Sequence, residues 1–267
     1  MLKQRVITAL VIAPIALALV FFAPDGVFAA AMLGMALVGA WEWSALAGRP
    51  DRDSRLMLVA LFAAIAVAGW FLQQSFAYPQ GLMLYCLLAL VWWLFSLVWI
   101  VVLRSEFPRS VKILCGVLTL LPSLAAVVAV RAVSPWYLLI LLLLTTSADI
   151  GAYFAGRAFG KRKLAPLVSP GKTWEGVVGG VAAVIVVAGV ASRWLPASPM
   201  PFILICVVVA LLSVVGDLSE SLFKRQAGVK DSGTLFPGHG GVLDRVDSLT
   251  AAAPLYWLGL HWLGLLP

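Results

Sequence analysis

The stretch best equipped for chemistry runs from Gly216 to Ser248, reading G-D-L-S-E-S-L-F-K-R-Q-A-G-V-K-D-S-G-T-L-F-P-G-H-G-G-V-L-D-R-V-D-S. Asp217, Glu220, Ser221 and Lys224 follow the i, i+3, i+4, i+7 spacing that puts side chains on one helical face. A carboxylate at mid-membrane is unfavourable by roughly 2.5–3.5 kcal/mol, so such a face should line a polar cavity or a metal. A snorkelling, ion-paired stripe is the purely structural alternative. Gly238, Gly240 and Gly241, around His239, permit backbone conformations closed to other residues, and their N–H groups could form an anion-binding nest. A tight turn would need the same glycines. Asp244 and Asp247 lie three apart at the start of the next helix, with Arg245 beside them. Such a pair suits Mg2+ held jointly with substrate phosphates. Taken alone, each also fits a helix start, Asp244 as N-cap and Asp247 against the dipole. Asp217 and Asp231 in the same short stretch, with Lys224, Arg225, Lys230 and Arg245, tilt the reading toward phosphate chemistry. His239 is a candidate for substrate contact or positioning rather than a general base, because a phosphate monoester is already nucleophilic near neutral pH.

A second polar stretch lies between Ala148 and Gly176 and carries Asp149, Arg157 and Lys172. Gly171-Lys172-Thr173 resembles the end of a nucleotide-binding P-loop, but Pro166 replaces the required earlier glycine and the preceding span is helical. Lys172 stays a candidate phosphate ligand. Ser169-Pro170 reads as a helix N-cap followed by Pro at the first helical position.

The elements that must position these groups are membrane helices. With 63% hydrophobic and 12% charged residues over 267 positions, and a mean hydropathy of +1.03, the chain has too little polar surface to cover a water-soluble globule. Runs of about 20 residues, enough to cross the hydrocarbon, are predicted nine times: Val6–Ala23, Val27–Ala47, Leu56–Gln74, Leu82–Leu103, Ile113–Val130, Pro135–Phe154, Val177–Trp194, Phe202–Leu222 and Val246–Leu266. The expected fold is an all-α, polytopic transmembrane bundle forming one domain over residues 1–267. Helices through residue 130 serve mainly as scaffold, and 131–267 carry the catalytic helices and loops. The first run imitates a secretory signal but is long for one, and is expected to stay as an uncleaved helix. Pairs such as Gly34/Gly39 and Gly176/Gly179/Gly180 allow close helix approach.

A net charge of +7 would suggest nucleic-acid binding in a soluble protein; here its distribution reports topology. With the N-terminus inside, all of the 19 basic residues except Arg131 and Arg193 fall on the inner side, Lys3, Arg5 and Arg104 among them. The C-terminus is then outside. Cys86, Cys115 and Cys206 sit within apolar runs without metal or disulfide spacing. The apolar exterior permits a homodimer without demanding one.

From Ser221 to Asp247 the sequence resembles the signature of the phosphatidate cytidylyltransferase family. Ala148–Lys161, Ser169–Gly176 and the opening L-K-Q-R-V-I-T-A-L are similar to that family as well. The resemblance implies the reaction of CTP with phosphatidate to give CDP-diacylglycerol and pyrophosphate, with Mg2+, at the inner face of a bacterial plasma membrane. On that reading Asp217, Asp244 and Asp247 are expected at the metal, with Asp149 and Asp231 as further carboxylates. Lys172, Lys224, Arg225, Lys230 and Arg245 meet phosphates. Ser169, Ser219, Ser221, Gly238, Gly240 and Gly241 contribute to substrate binding. A CTP-dependent polyprenol kinase and an ion or metabolite transporter are rival readings. The first would release CDP, and the second needs polar groups along a path across the bilayer, whereas Asp25 is the one acid assigned to the outer side.

Overall fold

A computed structural model describes residues 2–75, 79–103, 105–236, 238 and 240–266. Nine α-helices are present among the described residues: α1 (Leu2–Phe22), α2 (Asp25–Leu46), α3 (Arg52–Ser75), α4 (Gln80–Val98), α5 (Arg109–Val133), α6 (Pro135–Phe159), α7 (Trp174–Ala191), α8 (Pro199–Gln226) and α9 (Leu243–Trp262). A π-helical turn, Trp99–Leu103, extends α4, and a 3-10 turn, Ser192–Trp194, extends α7. One antiparallel hairpin, β1 (Lys163–Ala165) and β2 (Ser169–Thr173), joins α6 to α7. Arg104 and His239 lie outside the described residues, as do the side chains of Lys3 and Arg5.

The helices fall where the apolar runs predict them, but they are not nine equal spans. Among the described residues, seven, α2 through α8, are long and apolar enough to cross a membrane; the apolar part described for α1 is the shorter Leu10–Phe22. α9 differs for a physical reason. It packs against α4, α5, α6 and α8, with Ala251, Ala252, Ala253, Tyr256, Trp257 and Leu260 fully buried. A helix surrounded by protein need not be apolar on every face, and its first turn carries Asp244, Arg245 and Asp247. The chain is an all-α, polytopic integral membrane protein.

Local chemistry sets the helix ends. Ser134 caps α6, accepting the Trp136 amide, with Pro135 at the first helical position; Pro199 opens α8 in the same way. Within α9, Pro254 has no N–H to give the Thr250 carbonyl one turn earlier. Ser123 of α5 fills that gap by donating to Thr250 O, its proton shared with Thr119 O on its own helix. The unusual proline thus becomes a bond between two helices.

Two apolar clusters hold the bundle. One gathers Phe28, Leu141, Phe202, Tyr256 and Trp257; the other gathers Trp43, Trp93, Trp99, Leu121, Phe223 and Leu243. Between α6 and α7 the backbones touch: a side chain at Gly151 would strike the Gly179 carbonyl, and one at Gly180 the Ala148 carbonyl. Gly34 faces open space, so of the Gly34/Gly39 pair only Gly39 is packed, against Leu120 and Leu243. At the end of α5, the guanidinium of buried Arg131 binds Asp25 and the Ala23 and Val20 carbonyls and lies over the Phe28 ring. That clamp fixes the α1–α2 turn. The three cysteines are buried and free.

Candidate active site

The predicted polar face of α8 is present, but its members turn to two different neighbours. Asp217 pairs with Lys172, Oδ2 to Nζ 2.6 Å, and its other oxygen accepts from Ser221 Oγ at 3.3 Å. One turn on, Lys224 Nζ lies 3.2 Å from Glu220 Oε1 and 2.7 Å from Asp244 Oδ1 on α9. Two centres result, one facing α6 and α7, the other facing α9.

Lys172 reaches the first centre on β2. The expectation that Ser169-Pro170 begins a helix is corrected here: Ser169–Thr173 is a strand, with Lys163 opposite Thr173 and Ala165 opposite Ser169. Pro170 is tolerated because each strand of a two-stranded hairpin has a free edge. The helix begins one step later, with Thr173 Oγ1 accepting the Gly176 amide at 3.1 Å. Buried Val168 and the Arg225 Nε–Val168 O bond of 3.4 Å seat the hairpin against α8.

A cavity of about 540 Å³ opens between α6, α7, α8 and β2. Asp149, Tyr153, Arg157, Lys172 and Asp217 line its polar part, and Val177, Val181 and Val214 its apolar wall. Ala148, Ala152, Gly176 and Gly180 supply the room by being small. Asp149 lies within electrostatic range of Asp217, Lys172 and Arg245, and Asp247 within range of Asp217 and Lys172. α8 and α9 approach closely at this point, since a side chain on Gly216 would strike the Asp247 carbonyl.

In the second centre the protein's own carboxylates occupy one of the amides expected to form a nest, that of Gly241, and the two that follow it. Gly238 and Gly240 adopt φ of 75° and 80°, and the turn closes through Phe236 N to Gly240 O at 2.9 Å. The Gly241 amide, however, goes to Asp244 Oδ2 at 2.8 Å. The next two amides, Val242 and Leu243, each donate at 2.9 Å to Glu42 of α2. Ser232 joins both carboxylates, its hydroxyl 3.0 Å from Glu42 Oε2 and 2.9 Å from Asp244 Oδ2, while its amide reaches Asp244 Oδ2 at 2.8 Å. Burial pushes the Asp244 carboxyl up, but Lys224 and the Gly241 and Ser232 amides outweigh it and hold the group below the usual carboxylate range.

The remaining candidates divide by exposure. Arg225, Lys230, Asp231 and Arg245 are exposed, and Ser169 is half-buried in β2. Ser219 is buried and bonded to Ser96 of α4 at 2.6 Å and to Val215 O at 2.7 Å, which makes it a helix-to-helix link rather than an open ligand. Glu42 was not among the sequence candidates. Its signal was a single carboxylate between Trp41 and Trp43 inside an apolar run, which marks a functional position by default in a membrane protein.

Among the described residues, no three His, Cys, Asp or Glu side chains converge closely enough to hold a metal unaided. Mg2+ needs only one or two carboxylates when substrate phosphates complete its shell. Asp217 and Asp149 on the cavity wall fit that requirement. Both Asp244 oxygens are engaged by Lys224, Ser232 and Gly241.

The model of a cytidylyltransferase family matches residues 3–263. Phosphatidate cytidylyltransferase of Pseudomonas aeruginosa is 44% identical over 270 residues, 96% of this chain and 96% of its own length. The Haemophilus influenzae protein of that name is 39% identical over 284 residues, covering 96% and 97%. That of Bacillus subtilis is 47% identical over 116 residues, 42% of this chain and 43% of its own length.

Proposed function

The chain belongs to the cytidylyltransferase family, and from that premise we propose that it works as a phosphatidate cytidylyltransferase, joining CMP from CTP to phosphatidate and releasing pyrophosphate. The observation that carries the assignment to this geometry is the cavity between α6, α7 and α8, cationic and carboxylate-lined at one part and apolar along its wall. An amphiphile with a phosphate headgroup matches both parts.

Lys172 and Arg157 receive the lipid phosphate. The incoming anion competes with Asp217 for Lys172, so binding frees the Asp217 carboxylate as the substrate arrives. Exposed Arg225, Lys230 and Arg245 meet the triphosphate of CTP. An oxygen of the phosphatidate phosphate then bonds to the CTP α-phosphorus, the bond to the β-phosphate bridging oxygen breaks, and pyrophosphate carries away the electron pair. No strong base is required, because a phosphate monoester loses its second proton near pH 6. The protein's task is to align two mutually repelling anions. Asp217 and Asp149 are the residues that would hold Mg2+, whose chemistry when bound would be to neutralise charge on the phosphates. Asp244 is assigned to hold Lys224 and the glycine turn. The concentration of basic residues near this end supports a site on the cytoplasmic side of a bacterial inner membrane.

Purified protein incubated with labelled CTP, phosphatidate and Mg2+ should yield labelled CDP-diacylglycerol and unlabelled pyrophosphate when the label is on the α-phosphate. Labelled CDP as the released product would reject CMP transfer in favour of γ-phosphoryl transfer.

A further inference from the structure

We infer that Glu42, on α2, is a positioning residue for the transfer: its buried carboxylate stands in for an external anion at the start of α9 and sets the catalytic loop. This rests on the function proposed above.

A helix N-terminus exposes N–H groups that attract anions, and in a protein handling two phosphorylated substrates this one would be an obvious phosphate site. Here it is taken. The Val242 and Leu243 amides both donate to Glu42, which is only 5% exposed. Ser232 ties the other side of the loop to the same carboxylate. The loop is also shaped around this group, because a side chain at Gly233 or Gly241 would collide with it. Gly233 and Gly241 are therefore space for a carboxylate from a helix far away in the chain.

The contacts lead from Glu42 to the reacting region in two steps. Seating the first turn of α9 places Asp244, whose carboxylate holds Lys224. It also presses the Asp247 backbone against Gly216, beside Asp217. Loss of the Glu42 anchor should shift these groups relative to the cavity while leaving its walls, built from α6, α7 and α8, intact. Misplacement on the scale of 1 Å is enough to slow a reaction that depends on alignment.

The test compares wild type with Glu42→Gln, Glu42→Asp, Gly233→Ala and the double variant Glu42→Gln/Gly233→Ala, purified at full length and assayed with CTP, phosphatidate and Mg2+. Glu42→Gln should lower kcat about tenfold or more, with KM for phosphatidate nearly unchanged. Glu42→Asp should recover part of that loss. Gly233→Ala, which disturbs the same contact from the loop side, should lower kcat similarly, and the double variant should be no worse than the poorer single one. If the Glu42 variants do not fold, Gly233→Ala alone decides. Wild-type kcat in Glu42→Gln or Gly233→Ala, a loss expressed mainly in KM for phosphatidate, or additive losses in the double variant would overturn the inference. Wild type provides the control on the underlying function: if it makes no CDP-diacylglycerol, that reading fails; if it turns over and the variants match it, only the role of Glu42 fails.

Discussion

At the scale of single residues, the Lys172–Asp217 pair makes the sharpest demand. Each partner is about three-quarters covered, and a phosphate arriving at Lys172 competes with Asp217 for its ammonium. Asp217→Asn should leave the protein folded in detergent yet lower turnover about 100-fold, the usual scale for losing one group aimed at developing charge. Lys172→Ala should instead raise KM for phosphatidate, and equal kinetics in both variants would show that the pair acts only as a strut. Asp244 makes a different prediction. Its folded-state pKa is depressed, so its hold on the 227–242 loop is complete above the ordinary carboxylate value of about 3.9 and is lost as pH falls below it, through the lowered value. Protease sensitivity of that loop should rise only in this acid range, and Asp244→Asn should show it already at neutral pH. The types of these residues were legible from spacing, since one helical face carried Asp217, Glu220 and Lys224. Their partners were not. Periodicity places groups on a face of their own helix and says nothing of which neighbour lies opposite, so the pairing of Asp244 with Lys224 and of Ser219 with Ser96 could not be read from it.

At the scale of elements, prolines and glycines carry information that hydropathy does not. Pro254 leaves the Thr250 carbonyl without a helical donor, and Ser123 repairs it from α5. Ser123→Ala should therefore lower stability by about 1–3 kcal/mol, the range for a buried polar group left unpaired, read as a drop in Tm of the purified protein. Its kcat with both substrates should stay close to wild type, because the bond is remote from the cavity; an unchanged Tm would show that water replaces the hydroxyl. The nine helical segments could be drawn from apolar runs alone, and their ends follow from Ser134, Pro135 and Pro199. The β-hairpin could not. Its strands are short, and Ser-Pro ahead of an apolar run carries the same local signal as a helix start. Only pairing with Lys163–Ala165, a tertiary fact, decides between them.

At the scale of the whole molecule, chemistry is concentrated at one end of a bundle whose other end is fastened by Arg131 and Asp25. Because the described carboxylates do not gather into a self-sufficient metal site, a chelator should abolish turnover without lowering the Tm of the substrate-free protein. A matching fall in Tm would point to a metal that the folded chain retains unaided. The overall architecture was readable from composition, yet the division into an N-terminal scaffold and a C-terminal catalytic half blurs at one carboxylate. Glu42 is made about 200 residues before the amides that satisfy it. During synthesis the second helix therefore enters the membrane carrying an unmet obligation, which the 227–242 loop and the start of the ninth helix discharge together. A nascent or truncated chain lacking its final helix would display a lone acid in a greasy surrounding, a mark by which a cell's quality-control proteases could tell an unfinished copy from a finished one.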